Sequence, residues 1–253
     1  MFYKDVEGFK SLNGYVIDDV WYPRVTKIVG IKAKPALYRF YAEAASFSAA
    51  DSIAKKSASE GTQIHEVVEK ILVGEFPVIE PNIAPAIAAF KEFIAKKNIQ
   101  ADPALIEKRI VHYDQRYAGT IDVVALIDGK LGILDIKTSQ AIYRDYNLQI
   151  SAYMEALRPE VKDLQTRWIL RIDQIQHCLK CGATLRTKGG REKIKIDWGS
   201  SLMKKCGHQW SEVKGDVELQ EFPYWQEDYE AFLAAKKLWE WENEYWLKKI
   251  GYI

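Results

Sequence analysis

The sequence predicts an α/β fold, with a central mixed sheet flanked by helices and a small Cys/His insertion. Three observations carry that expectation. Helix-period apolar positions fill much of the chain up to about residue 115. A two-strand segment follows whose faces are both apolar, as in a sheet covered on each side. A stretch just beyond residue 177 then breaks the pattern with cysteine, glycine and lysine.

Taken in order, segments 36–54, 62–72 and 83–97 carry apolar residues at helical spacing, so the first part reads as mainly helical. A strand holding Glu107 is expected just before the two-strand segment. A helix is expected over 144–157, then a strand in Thr-Arg-Trp-Ile-Leu-Arg-Ile. Residues 225–249 read as one long helix whose aromatics (Tyr229, Phe232, Trp239, Trp246) share a face, the pattern of core packing. This predicts a core with a helical N-terminal part over 1–176, an insertion over 177–213, and a closing strand and helix over 214–253.

With a net charge of +1, the overall field announces no polyanionic partner, so any nucleic-acid contact must rest on locally clustered cations. No segment approaches the roughly 20 apolar residues of a membrane span. The N-terminus lacks a charged-then-apolar signal, and a cytoplasmic protein is expected.

Segment 119–139 carries the chemistry. Two apolar runs flank Asp128-Gly129, a dipeptide suited to a two-residue type I′ turn. Ile127 then pairs with Lys130 and Asp122 falls opposite Asp135. Lys137 shares the face of Asp135 with Val124, Leu126, Leu131 and Ile133; Ile121, Val123, Ala125, Leu134 and Ile136 take the other. Two carboxylates about 5 Å apart at Cβ beside a core destabilise a fold unless a cation or proton lies between them. Oxygen ligands suit magnesium. The plainer alternative is a solvated strand end where Lys137 balances the acids.

Two helices add candidates. His65 and Glu69 lie one turn apart, and a neutral imidazole can join a carboxylate metal shell, although a lone helical histidine is commonly structural. Gln149 and Tyr153 share a face on the helix after Lys137, where both can donate and accept hydrogen bonds.

The ordered set Gly61-Thr62-x-x-His65-x-x-x-Glu69, Gly119-Thr120-Ile121-Asp122, Asp135-Ile136-Lys137-Thr138 and Gln149-x-x-x-Tyr153 resembles the RecB-type branch of the PD-(D/E)XK nuclease superfamily. With Tyr-Pro-Arg-Val-Thr-Lys-Ile-Val-Gly-Ile upstream, the chain is similar to phage and mitochondrial genome-maintenance exonucleases over residues 22–157. The resemblance implies a restriction-endonuclease-like core. It implies Mg²⁺ or Mn²⁺ held by His65, Asp122, Asp135 and the Ile136 carbonyl, and Lys137 orienting or activating water and steadying developing charge. Gln149 and Tyr153 would support the site, with Glu69 and Glu107 as further contributors. Ile121 stands where other branches carry proline, a departure common in this one.

The implied activity is metal-dependent hydrolysis of DNA phosphodiesters, leaving 5′-phosphate and 3′-hydroxyl ends. An exonuclease of recombination, repair or phage replication, acting on ends or single strands, is expected, with room for a helicase or recombination-protein partner. An endonuclease, a noncatalytic zinc-containing DNA-binding module and a subunit of a larger helicase–nuclease assembly are the alternatives.

The three cysteines all fall between Cys178 and Cys206, a bunching that suggests a metal more than a disulfide. Cys178, Cys181, Cys206 and His208 suit tetrahedral Zn²⁺; reduced thiols and an iron–sulfur cluster are the alternatives. Iron–sulfur exonucleases of CRISPR adaptation use four cysteines, one upstream of the core, which this chain lacks. Residues 186–205, between the pairs, are strongly basic, either to grip phosphates or as a solvated loop.

Overall fold

A computed structural model describes residues 3–196 and 206–253. Helix α1 (Val6–Asn13) starts at Asp5, whose Oδ1 accepts from the Gly8 amide at 2.7 Å. Strands β1 (Gly14–Ile17) and β2 (Val20–Pro23) form a hairpin turned at Asp18 and Asp19, both left-handed. These strands are missing from the helical reading of the first part. Each has only four residues, too few to show a clear alternation.

Helix α2 (Val25–Val29) is followed by α3 (Pro35–Glu43) and the 26-residue α4 (Phe47–Leu72). The continuous helix expected over 36–54 is therefore two. Ser46 makes the break: its hydroxyl caps α4 by accepting from the Ala49 amide at 3.1 Å. The segment expected over 62–72 is the C-terminal part of α4, and α5 spans Ala84–Ile94.

The long strand β3 (Ile99–His112) leads to β4 (Tyr117–Ile127), β5 (Lys130–Lys137), α6 (Tyr146–Leu157) and β6 (Thr166–His177). Beyond them come β7 (Thr184–Lys188), β8 (Arg191–Lys195) and β9 (Lys214–Glu221). The chain closes with α7 (Gln226–Glu242) and α8 (Glu244–Lys249). The single helix expected over 225–249 is thus broken at Asn243, whose side chain turns back to the Trp239 carbonyl. Phe232 and Trp239 are buried, and Tyr229 and Trp246 pack against the same core.

The seven-stranded mixed sheet runs β3-β4-β5-β6-β7-β8, with β9 on β6. Among the described strands only β5 and β6 pair in parallel, joined by α6 as a crossover. One apolar cluster sets α2, α6 and α7 against one face; a second sets α4 and α5 against the other. β6 and β9 are antiparallel neighbours, and the chain between them carries the β7–β8 hairpin, which extends the sheet from the end of β6. Residues 214–253 add a strand and two helices to the core.

Arg167 on β6 is fully buried. It donates to the carbonyls of Asn147, Phe222 and Tyr224 and pairs with Asp228, tying α6, β9 and α7 together. Among the described residues no helix is long and apolar enough to cross a membrane.

Candidate active site and Cys/His cluster

The hairpin forms as its turn residues dictate. Asp128 and Gly129 are left-handed (φ 50° and 86°), and pairing runs from Ile127–Lys130 to Val123–Leu134. The expected next pair, Asp122 with Asp135, does not continue the ladder. Asp122 Oδ2 instead accepts from the Ile136 amide at 2.7 Å. The expected face assignment also changes at one residue: Ile121 joins Val124 in the cluster on the α6 side, while Val123 and Ala125 lie on the α4 side.

Alternation therefore slips by one at Asp122. On the neighbouring strand, pairing jumps from Ile106–Val123 to Lys108–Ile121, and the residue passed over, Glu107, has φ 49°. A non-glycine residue in that region is strained, and such strain gathers at functional sites. The slip turns Asp122 toward α4, where His65 Nδ1 lies 3.7 Å from its Oδ2 and 4.0 Å from Glu69 Oε1. His65, Glu69 and Asp122 can bring ligand atoms within 4.8 Å of one another. His65 and Glu69 border a cleft of about 540 Å³ that Glu107 and Thr138 also line.

Asp135 stays on the α6 side. Gln149 Nε2 donates to its Oδ1 at 3.1 Å and to Tyr153 Oη at 3.2 Å. Tyr153 packs over Gly119, where an added Cβ would lie 2.4 Å from its ring. Only glycine permits that approach. Lys137 Nζ forms an ion pair with Asp135 Oδ2 at 2.6 Å. Glu69 Oε1 is a buried acceptor with no hydrogen-bond partner among the described residues. The Asp122 and Asp135 carboxylates therefore flank one fork in the sheet; they do not stand opposite one another on one face. What Ile136 offers Asp122 is its amide.

Burial dominates the electrostatics. It raises Asp122 and Asp135 to about 6, against the lowering pull of Lys137. Glu69 is raised to about 8, by burial first and then by Glu107 and Asp122. Burial alone would lower Lys137, but Asp135 and Asp122 outweigh it and hold the ammonium above its usual range. His65 is lowered by burial and by Lys137, which favours neutral imidazole. Tyr153 is held as phenol by burial. The result is a pair of acids short of counter-charge, a neutral imidazole and a firmly charged lysine.

Tyr146 is not among the residues that the sequence singles out; its ring centre lies 5.2 Å from Lys137 Nζ. Its signal is there, since Tyr146, Gln149 and Tyr153 fall at helical spacing on α6.

In the insertion, Cys178, Cys181, Cys206 and His208 can bring ligand atoms within 4.8 Å of one another. Cys178 Sγ is 4.0 Å from Cys206 Sγ, and Cys181 Sγ is 3.4 Å from His208 Nδ1. Tetrahedral zinc bond lengths imply separations of about 3.8 and 3.5 Å. All three cysteines are free of disulfides. Gly182, left-handed at φ 74°, turns the chain so that its amide reaches the Cys178 carbonyl. His208 stacks on Trp210 with ring centres 4.7 Å apart. This group can hold a metal such as zinc. Of the basic stretch 186–205, the part from 197 onward lies outside the described residues.

No protein-family model matches this chain, and no curated protein matches it.

Proposed function

We propose that the chain is a metal-dependent DNA nuclease with a restriction-endonuclease-like core of the RecB type. The observation that carries this reading is the fork between β4 and β5: buried Asp135 and half-buried Asp122, each raised by desolvation, with Lys137 beside Asp135 and His65 beside Asp122. The donor set fits a hard divalent cation, since carboxylate oxygens predominate and the buried Glu69 Oε1 lacks a donor. His65, Glu69 and Asp122 are the residues whose ligand atoms lie close enough to hold it, with Asp135 across the fork and Glu107 in the same cleft as further candidates. When bound, Mg²⁺ or Mn²⁺ supplies Lewis acidity and a more acidic water.

The protein's own groups do the rest. Lys137, which both acids favour in its charged form, is a cation for the developing negative charge on phosphate. Gln149 fixes the Asp135 carboxylate, and Tyr153 orients Gln149. The four-residue Cys/His group is assigned a structural Zn²⁺, on its donor set and spacing. An exonuclease acting in the cytoplasm on DNA ends or single strands is the favoured form of the activity.

The test is digestion of end-labelled linear and closed-circular DNA with Mg²⁺, Mn²⁺ or EDTA. Metal-dependent loss of label from linear DNA alone is expected. Cutting of the circle would make the enzyme an endonuclease, and intact DNA under every condition would remove the hydrolytic reading.

A further inference from the structure

A second cleft, of about 640 Å³, lies between the β7–β8 hairpin and helices α3 and α4. It shares Ser57, Ala58 and Thr138 with the cleft beside His65, so the two adjoin. Lys32, Lys34, Arg186, Lys188, Arg191 and Lys193 line it, against one carboxylate, Asp145. In a chain whose net charge is +1, that is a strong local concentration of cations. Asp173 and Glu43 just outside pair with Arg186 and Arg191, Asp145 lies 3.9 Å from Lys32, and Asp173 and Glu60 act on Lys188; Lys34 and Lys193 have no ion pair among the described residues. Burial first, then Arg186, lower Lys188 to about 8 against the raising pull of Asp173 and Glu60.

The hairpin is fastened across the cleft. The Gly189 amide lies 3.2 Å from both Glu60 carboxylate oxygens on α4, and a Cβ there would stand 2.4 Å from the Ile53 carbonyl. Arg191 reaches Glu43 on α3 and lies over the Phe40 ring; Lys193 donates to Gln140. Lys188 and Arg186 donate to the Thr138 carbonyl, one residue past Lys137. In sequence, Cys181 and Cys206 bracket the hairpin, so a metal joining them ties both of its ends. Phe40, Tyr143 and Tyr146 add aromatic surface to the cationic lining.

Cations that track a backbone, joined to aromatic faces that accept bases, are what a single nucleic-acid strand needs. We propose that this cleft binds a single strand of nucleic acid, with the Cys/His-anchored β7–β8 hairpin as its outer wall, and leads the strand to the carboxylate fork. The proposal rests on the nuclease reading for the fate of the strand; binding itself does not.

The experiment measures binding by the full-length, zinc-loaded protein without magnesium, using fluorescent oligo(dT) of about 20 nucleotides across a salt series. The Arg191→Ala/Lys193→Ala variant, checked for melting temperature and zinc content, should bind about tenfold more weakly. Its log–log salt slope should be shallower by about 1.4, because each phosphate neutralised on a single strand adds about 0.7 to that slope. Lys248→Ala/Lys249→Ala, on α8, should bind as the native protein does, and a blunt duplex should bind less tightly than oligo(dT). The inference is overturned if the folded hairpin variant binds like the native protein, if the duplex is preferred, or if oligo(dT) is not bound. Because the readout needs no cleavage, a protein that cuts DNA but binds normally without these cations loses only the cleft. One that binds as expected but never cuts loses only hydrolysis.

Discussion

Asp122 and Asp135 do different work although both are aspartates on one hairpin. Asp122 is fixed by a backbone amide and faces an imidazole; Asp135 is fixed by a glutamine and faces an ammonium. Gln149→Ala removes the group that aims Asp135 and should lower Mg²⁺-dependent cleavage about 10–100-fold, as loss of partners behind metal ligands does. A rate series at saturating Mg²⁺ checks this; an unchanged rate would detach α6 from the site. Glu69 gives a pH test without metal. Its carboxyl ordinarily titrates at 4.5 and is raised to about 8 in the fold. The stability it lends is present below its unfolded value and is lost as pH rises through about 8. Glu69→Gln should therefore melt near the native temperature at about pH 5 and above it at about pH 9, in divalent-free buffer. An offset independent of pH would contradict the shift. Asp122, Asp135, Lys137 and His65 were legible in the sequence as candidates, and the fold sets His65 beside Asp122 and Lys137 beside Asp135. The weight of Glu69 was not, because its burial against Glu107 depends on a strand far away in sequence.

Among the elements, β4 shows what periodicity can and cannot reveal. Its turn and first five pairs follow from Asp128-Gly129 and from alternation. The slip at Asp122 was invisible, because its cause lies partly in β3, where Glu107 takes a left-handed backbone. Without the slip Asp122 would share a face with Asp135; with it, the acid reaches α4. Gly119 serves the same stretch of β4 by admitting the Tyr153 ring. Gly119→Ala should overpack this contact and cost about 1–3 kcal/mol in chemical denaturation. Cleavage should fall with it as Gln149 is displaced; a variant as stable as the native protein would show the ring can move aside. Helix ends were the least legible feature. The apolar period runs through 36–54, while a single serine cap decides that two helices stand there.

For the molecule as a whole, the α/β class and helices on both faces followed from apolar patterning, but strand order did not. That β9 returns to β6 after the insertion depends on side chains such as Arg171, which bonds to Asp216 and Glu218. Arg167 is another such residue, holding three elements through one guanidinium. Arg167→Met leaves three carbonyls and Asp228 without it and should cost about 3–5 kcal/mol, read from urea midpoints. A loss under about 1 kcal/mol would mean the packed methionine compensates.

The account turns on a divalent ion held at the fork between β4 and β5. Its most direct test is a Mn²⁺ titration followed by electron paramagnetic resonance, comparing the zinc-loaded native protein with Asp122→Asn/Asp135→Asn. The native protein should bind Mn²⁺ and the folded double variant should lose that binding. Equal binding by both proteins, or none by the native one, would contradict the account.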